Sequence, residues 1–255
     1  MRRAVLNRMA ECRIESVEEY TRCLEADPGE PASLATHLFI GVTRFFRDPG
    51  AFAALEQHLA RLLRTPLTRP VFNVWVPACA SGEEAYSIAI LFLELLQELL
   101  QELPGEARAP CRVSILGTDI DGSAIAVARA GLFHPAIAQH LMPGRLSRFF
   151  SRERDGYRVT GEVRSMVDFR VHDVTQRPPP LLFDLISCRN LMIYLMPTLQ
   201  STLLSLFHAA LYPRGALLLS PSESIGDSID CYVPLSHVWK LYQAIPSTPV
   251  NACNL

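Results

Sequence analysis

The chain has 255 residues, 49% of them hydrophobic and 20% charged, with a formal net charge of −2. That length suits one sizeable α/β domain with a small appendage, and the near-balanced charge gives no global electrostatic case for nucleic acid or an anionic membrane. The apolar runs fall short of the roughly 20 residues needed to span a bilayer; the seven cysteines, odd in number and without a CxxC pair, argue against a disulfide framework or thiolate zinc site and for a reducing cytosol.

Residues 1 to 64 read as a helical domain. Val5, Leu6, Met9 and Cys12 recur at helical spacing, with Arg2, Arg3, Arg8 and Arg13 largely on the opposite face. No apolar core segment of a signal peptide follows this basic start. Ser16 with Glu19 forms a capping-box pattern opening a second helix to about Ala26, which Asp27-Pro28-Gly29 stops. A third helix is expected over about Ala32 to Ile40 and a fourth over Ala51 to Leu63. Arg64 to Pro70, with two prolines, reads as the linker into a second domain over 71–255.

From Val71 short apolar runs alternate with helical patterns, the signature of βαβ units around a parallel sheet. Strands are expected at Phe72–Val76, Val113–Gly117, Leu182–Ser187 and Ala216–Ser220, with a last one at His237–Tyr242. The intervening helices fall at Glu83–Leu103, Gly122–Ala130 and Pro197–Leu211. Tyr157–Thr160 and Val167–Val171 break the alternation and read as a small antiparallel insertion, about 151–171. Glu94, Glu98 and Glu102, at helical i,i+4 spacing, read as a solvated face.

The first strand runs into Pro77-Ala78-Cys79-Ala80-Ser81-Gly82-Glu83-Glu84. The small residues Ala78, Ala80 and Gly82 let backbone approach a ligand at the carboxyl end of a strand, where doubly wound sheets bind theirs. The second strand ends in Thr118-Asp119, and an acid there accepts both hydrogen bonds from a ribose diol. A tight turn and a helix N-cap explain the same features without a ligand. The GxGxxG and GxxxxGK[ST] phosphate cradles are absent, which favours an adenosyl ligand lacking phosphates. The acidic Glu83-Glu84 pair favours one that brings cations. The histidines show no HExxH or comparable spacing, so no metal is expected.

The runs Val42-Thr43-Arg44-Phe45-Phe46-Arg47-Asp48-Pro49, Ala80-Ser81-Gly82-Glu83-Glu84-Ala85-Tyr86-Ser87, Thr118-Asp119-Ile120-Asp121, Ser187-Cys188-Arg189-Asn190-Leu191-Met192-Ile193-Tyr194 and Pro221-Ser222-Glu223-Ser224 resemble, in order and spacing, the chemotaxis receptor methyltransferase (CheR) family. The wording is closest to the versions fused to methylesterase domains. The resemblance implies a Rossmann-like S-adenosylmethionine methyltransferase sheet, doubly wound, with a small antiparallel β insertion and an all-α N-terminal domain. It places Thr43, Arg47, Glu84 and Asp119 on S-adenosylmethionine, Asp173, Val174, Cys188 and Arg189 along its adenosine, and Arg47 and Tyr194 nearest the transferred methyl. It implies a cytoplasmic enzyme that esterifies glutamates on the cytoplasmic helices of a chemotaxis-type receptor, with S-adenosylhomocysteine as product. It gives the arginine face of the first helix a purpose in attracting those helices.

Departures from the family pattern are Gly41 in place of an asparagine, Asp173 in place of another, a late start to the helical domain, and a short link between Phe150 and Tyr157. The last argues against a grip on a receptor's C-terminal peptide. Without the resemblance, Tyr194 reads as core packing with its hydroxyl at the surface, Arg47 as a turn cap, and Cys188 as a small packing residue rather than a nucleophile. Two other functions stay open: methyl transfer to a different protein or small molecule, and a non-catalytic module that binds the cofactor and a partner.

Overall fold

The computed structural model describes residues 5, 8, 9, 12, 14, 16–27, 29–31, 34, 43–65, 69–102 and 112–246. Their contacts divide into two compact units, Met1–Arg44 and Phe45–Leu255.

In the first unit, helix α1 (Val17–Ala26) opens as its capping pattern predicts, with the Ser16 hydroxyl accepting from the Glu19 N–H. Beside it lies a buried carboxylate. Glu30 is held bidentately by Arg8, both contacts at 2.7 Å, and accepts the Tyr20 hydroxyl at 2.8 Å. The Arg8 guanidinium, with Tyr20, brings the Glu30 carboxyl down to about 2. Arg8 is therefore spent on Glu30, which corrects its reading as part of a free arginine face. Arg2, Arg3 and Arg13, Gly41 and nearly all of the expected third helix lie outside the described residues.

In the second unit, strand β1 (Val71–Pro77) alternates its side chains between two cores. Val74 and Val76 face one, and Trp75 faces the other. The first core takes helix α2 (Pro49–Leu63), through Phe52, Leu55, Leu59 and Leu63, and helix α3 (Glu83–Glu102), whose Ala85 to Phe92 is buried without a break. α2 thus groups with the sheet rather than with the helices before it. The second core takes helix α7 (Pro197–Ala210) through Leu203, Leu204 and Phe207.

The main sheet has seven strands in the order β6-β2-β1-β7-β8-β10-β9. β2 (Arg112–Asp119), β6 (Val167–Val171), β7 (Phe183–Ser187) and β8 (Leu211–Leu218) run parallel to β1, and β10 (Leu241–Ala244) lies antiparallel to β8. β9 (Tyr232–Ser236) forms the far edge, antiparallel to β10. From β1 the chain proceeds one way to β2 and β6, and from β7 the other way to β8. The order therefore reverses between β1 and β7, and a doubly wound sheet binds ligands outside the carboxyl ends at that point.

Two strand expectations are corrected. Val167–Val171 does not join the small insertion; it pairs parallel with Ile115–Asp119 at the main sheet's edge. Its alternating pattern fits an edge strand with one exposed face as well as it fits a hairpin. The small sheet is instead β3 (Leu132–Phe133), β5 (Gly156–Val159) and β4 (Phe150–Glu153). The expected strand at His237–Tyr242 is mostly a turn, because Lys240 takes a left-handed φ of 52° and β10 starts only at Leu241.

Helix α4 (Gly122–Ala130) follows β2, α5 (Pro143–Phe149) lies between β3 and β4 of the small sheet, and the single turn α6 (Gly161–Arg164) follows β5. Arg145 of α5 binds Glu94 of α3 bidentately at 2.9 and 2.8 Å, and Arg64 binds Glu102 at 3.1 Å. Two of the three glutamates read as a solvated face are thus ion-paired. Among the described residues no helix is long and apolar enough to cross a membrane.

Two features of α2 lead to measurable expectations. A Cβ on Gly50 would run into the Trp239 ring. Gly50→Ala should therefore cost about 1–3 kcal/mol by overpacking and shift the Trp239 fluorescence; an unchanged melting temperature and emission would contradict the contact. His58 is buried with no hydrogen-bond partner for its Nε2 among the described residues, and burial lowers its pKa to about 4. Between the ordinary value near 6.5 and about 4 the unfolded chain holds a proton that the folded chain lacks, so stability falls as pH drops through that window. Urea melts at pH 7 and pH 5 should show the loss, and His58→Leu should flatten it.

Candidate active site

At the reversal point the backbone is strained. Among the described residues seven non-glycine positions have positive φ, and Phe46, Asp48, Ala78, Ala80 and Asn190 are five of them. Such conformations cost on the order of 1–3 kcal/mol each and persist only where surrounding structure over-determines them. Here they cluster in three loops: the turn before α2, the loop after β1 and the loop after β7.

The loop after β1 is built against Asp119 at the end of β2. Its carboxylate accepts the Ala80 N–H at 2.8 Å and the Asp121 N–H at 2.9 Å, leaving one lone pair on each oxygen. The neighbouring Ile120 is 71% exposed and offers an apolar face beside that carboxylate. Gly82, at φ +95°, lies against the Phe169 ring and gives its N–H to the Cys79 carbonyl. A phosphate cradle would need that N–H. With Glu83 and Glu84 in the first turn of α3, the donor set suits a cationic, phosphate-free ligand and fits S-adenosylmethionine.

The turn before α2 is held from several sides. Phe45 packs edge-on against Phe133 and Phe150 of the insertion, with ring centroids 4.9 and 5.1 Å away. The Phe46 N–H donates to the Ser87 hydroxyl at 2.9 Å, and the Arg145 guanidinium covers the Phe46 ring. Asp48 stands at the N-cap of α2 but caps nothing, since its left-handed φ of 59° turns the carboxylate away. It goes instead to Arg189, at 2.6 Å.

Arg189, in the loop after β7, ties these pieces together. Its side chain is 0% exposed. One terminal nitrogen donates to Asp48 and to the Arg47 carbonyl at 2.8 Å, and the other to Glu84 at 3.2 Å. Glu84 also accepts the Ser187 hydroxyl at 2.7 Å. Burial pushes the Glu84 carboxyl up, against the opposing pull of Arg189, Ser187 and Arg47. The guanidinium thus bonds protein groups and sets where the Arg47 backbone sits relative to Glu84.

Cys188 is fully buried among Trp75, Met192 and their neighbours, and burial pushes its thiol well up, so it packs and does not attack. Asp173 accepts the Thr175 N–H and hydroxyl, at 2.9 and 2.7 Å, in an Asx turn after β6. The Thr175 hydroxyl holds the Asp173 carboxyl low. Val174 packs against the second core. Tyr194 ends a 3-10 turn, Met192–Tyr194, and is 72% exposed, which corrects its reading as core packing. Thr43 is partly buried near the end of the first unit.

Sequence reasoning assigned no role to Asp48, Ser187, Ile120 or Glu223, although all four stood inside the quoted runs. Asp48 before a proline reads as an ordinary cap, and only its φ reveals otherwise. The Pro178-Pro179-Pro180 connector borders an apolar groove of about 360 Å³ with Leu181, Leu182 and Leu206. That groove lies at the amino end of β7, away from the loops above, and contains no titratable group.

A parallel sheet that reverses between β1 and β7, an antiparallel β10, an acid closing β2 and an acidic first turn after β1 define the class of S-adenosylmethionine-dependent methyltransferase domains. The chain belongs to the CheR methyltransferase family: residues 41–238 match its SAM-binding domain. It is 33% identical over 246 residues to an uncharacterised 104.1 kDa protein of Rhodobacter capsulatus, covering 96% of this chain and 25% of that one. It is 36% identical over 186 residues to chemotaxis protein methyltransferase 1 of Vibrio cholerae, covering 72% of this chain and 64% of that one. With the chemotaxis protein methyltransferase of Escherichia coli it shares 32% identity over 213 residues, 80% and 69% of the two chains. The chain thus spans a quarter of the first of these relatives and 64% of the second.

Proposed function

We propose that this chain is a cytoplasmic protein-glutamate O-methyltransferase that esterifies glutamate side chains on the helices of a chemotaxis-type receptor. The observation that carries the reading is the Arg189 bridge. In a chain of this family, it joins Glu84, the acid after β1, to the backbone of Arg47. The relatives named as chemotaxis methyltransferases support the acceptor class.

In this reading Ala78, Ala80 and Gly82 let the backbone approach the cofactor, and Asp119 takes its ribose on the two free lone pairs. Glu84 faces its ammonium, Asp173, Val174 and Cys188 border the adenosine with the Arg189 backbone, and Arg47 contributes from the turn before α2. S-adenosylmethionine supplies an electrophilic sulfonium methyl. A glutamate carboxylate, with a reference pKa near 4.3, is ionised at neutral pH, so no general base is needed. Arg47 orients that carboxylate and the exposed Tyr194 hydroxyl fixes its second oxygen, so catalysis rests on positioning and partial desolvation.

Isothermal titration tests the cofactor half. Wild type should bind S-adenosylmethionine and S-adenosylhomocysteine saturably and not NAD. Arg47→Ala and Tyr194→Phe should keep product binding within about tenfold yet lose methyl transfer by about 100-fold. Full methyl transfer by Arg47→Ala would overturn the site assignment.

A further inference from the structure

We infer that Glu223 is a positioning residue for Tyr194, acting through the loop after β7; this rests on the functional reading above. Glu223 follows β8 and is 5% exposed. Among the described residues no cation pairs with it. Its charge is met by backbone instead: Oε1 accepts the Met192 N–H at 2.8 Å, and Oε2 accepts the Asn190 N–H at 3.1 Å and the Ser220 N–H at 2.8 Å. A buried carboxylate bound this way belongs to the loop it holds, because leaving any of these groups unpaired is costly.

The same loop is held from its other side. The Gln200 amide on α7 donates to the Met192 and Leu195 carbonyls, both at 2.9 Å. Met192 is therefore gripped at its N–H by Glu223 and at its C=O by Gln200. Asn190, at φ 62°, makes the bend that lets both grips form. Tyr194 ends the 3-10 turn that Met192 begins, and its hydroxyl makes no hydrogen bond within the described residues. A side chain this exposed has little packing to hold it. Its hydroxyl is placed by the backbone beneath it, and Glu223 and Gln200 set that backbone.

The stereochemistry offers a sharp variant. Glu223→Gln keeps size and reach, but one carboxylate oxygen becomes an NH2. Either orientation of that amide sets it against at least one backbone N–H, so the grip fails without a cavity. The test is a double-mutant cycle of Glu223→Gln with Tyr194→Phe. Its readouts are kcat for methyl transfer to a receptor fragment that wild type methylates, and calorimetric Kd for S-adenosylhomocysteine. Glu223→Gln should lower kcat about tenfold or more, a displaced reacting group being worth up to about 100-fold, while Kd moves less than about threefold. In the Tyr194→Phe background it should lower kcat little further, because coupled residues are non-additive. An unchanged kcat, or losses that multiply in the double variant, would overturn this role alone. If Glu223→Gln does not fold, Gln200→Leu replaces it in the same cycle with the same expectation. A wild type that methylates no receptor fragment would overturn the functional reading, and this role with it.

Discussion

Replacing Arg189 by methionine should destabilise the second unit by about 3–5 kcal/mol, the usual result of breaking a buried ion pair from one side. Methionine fills similar space but leaves Asp48, Glu84 and the Arg47 carbonyl without their shared donor. The pH dependence gives a sign to check. Burial already raises the Glu84 carboxyl above its unfolded value, and Arg189 opposes that rise. Without Arg189 the folded state holds the Glu84 proton more tightly than the unfolded state does. Variant stability should then fall as pH rises above the unfolded value near 4.5, and its deficit against wild type should widen with pH. Urea melts at pH 5 and pH 8 measure this; a deficit that narrows with pH would contradict it. Methyl transfer should be lost even where the variant is folded, because the Arg47 backbone is no longer tied to the β7 loop.

Asp119→Ala should weaken S-adenosylmethionine binding by at least about 100-fold, since two hydrogen bonds to a charged acceptor are worth roughly 1.5–3 kcal/mol each. The same substitution frees the Ala80 and Asp121 N–H groups that shape the cofactor loop. Asp119→Asn keeps the side-chain size and one acceptor, loses one backbone and one ribose contact together, and should fall between alanine and wild type. Calorimetry on the three proteins is the check, and an Asp119→Ala affinity within about threefold of wild type would remove Asp119 from the site.

Much of the sheet was legible because its signals were local. The apolar run before Ala78 became β1, and the capped segment Gly122–Ala130 became a helix with the expected bounds. Val167–Val171 was misassigned because parallel pairing with β2 is a long-range choice that a five-residue alternation does not encode. Among the candidate site residues, Asp119 is suggested by its place at the end of a strand and Glu84 by the acidic pair and the family resemblance. The grouping of Asp48, Ser187 and Glu223 could not, since each serves a partner in a different loop. Arg189 was legible by resemblance as a cofactor neighbour, but its role as the joint between three segments required the fold.

The most direct measurement is mass spectrometry of a receptor's cytoplasmic methylation helices after incubation with the protein and S-adenosylmethionine. The account predicts methyl additions on glutamate side chains, removed by mild alkali as esters are, and absent with Arg47→Ala. Alkali-stable methylation on another residue type, or no modification of any receptor fragment by protein that binds S-adenosylmethionine, would contradict it.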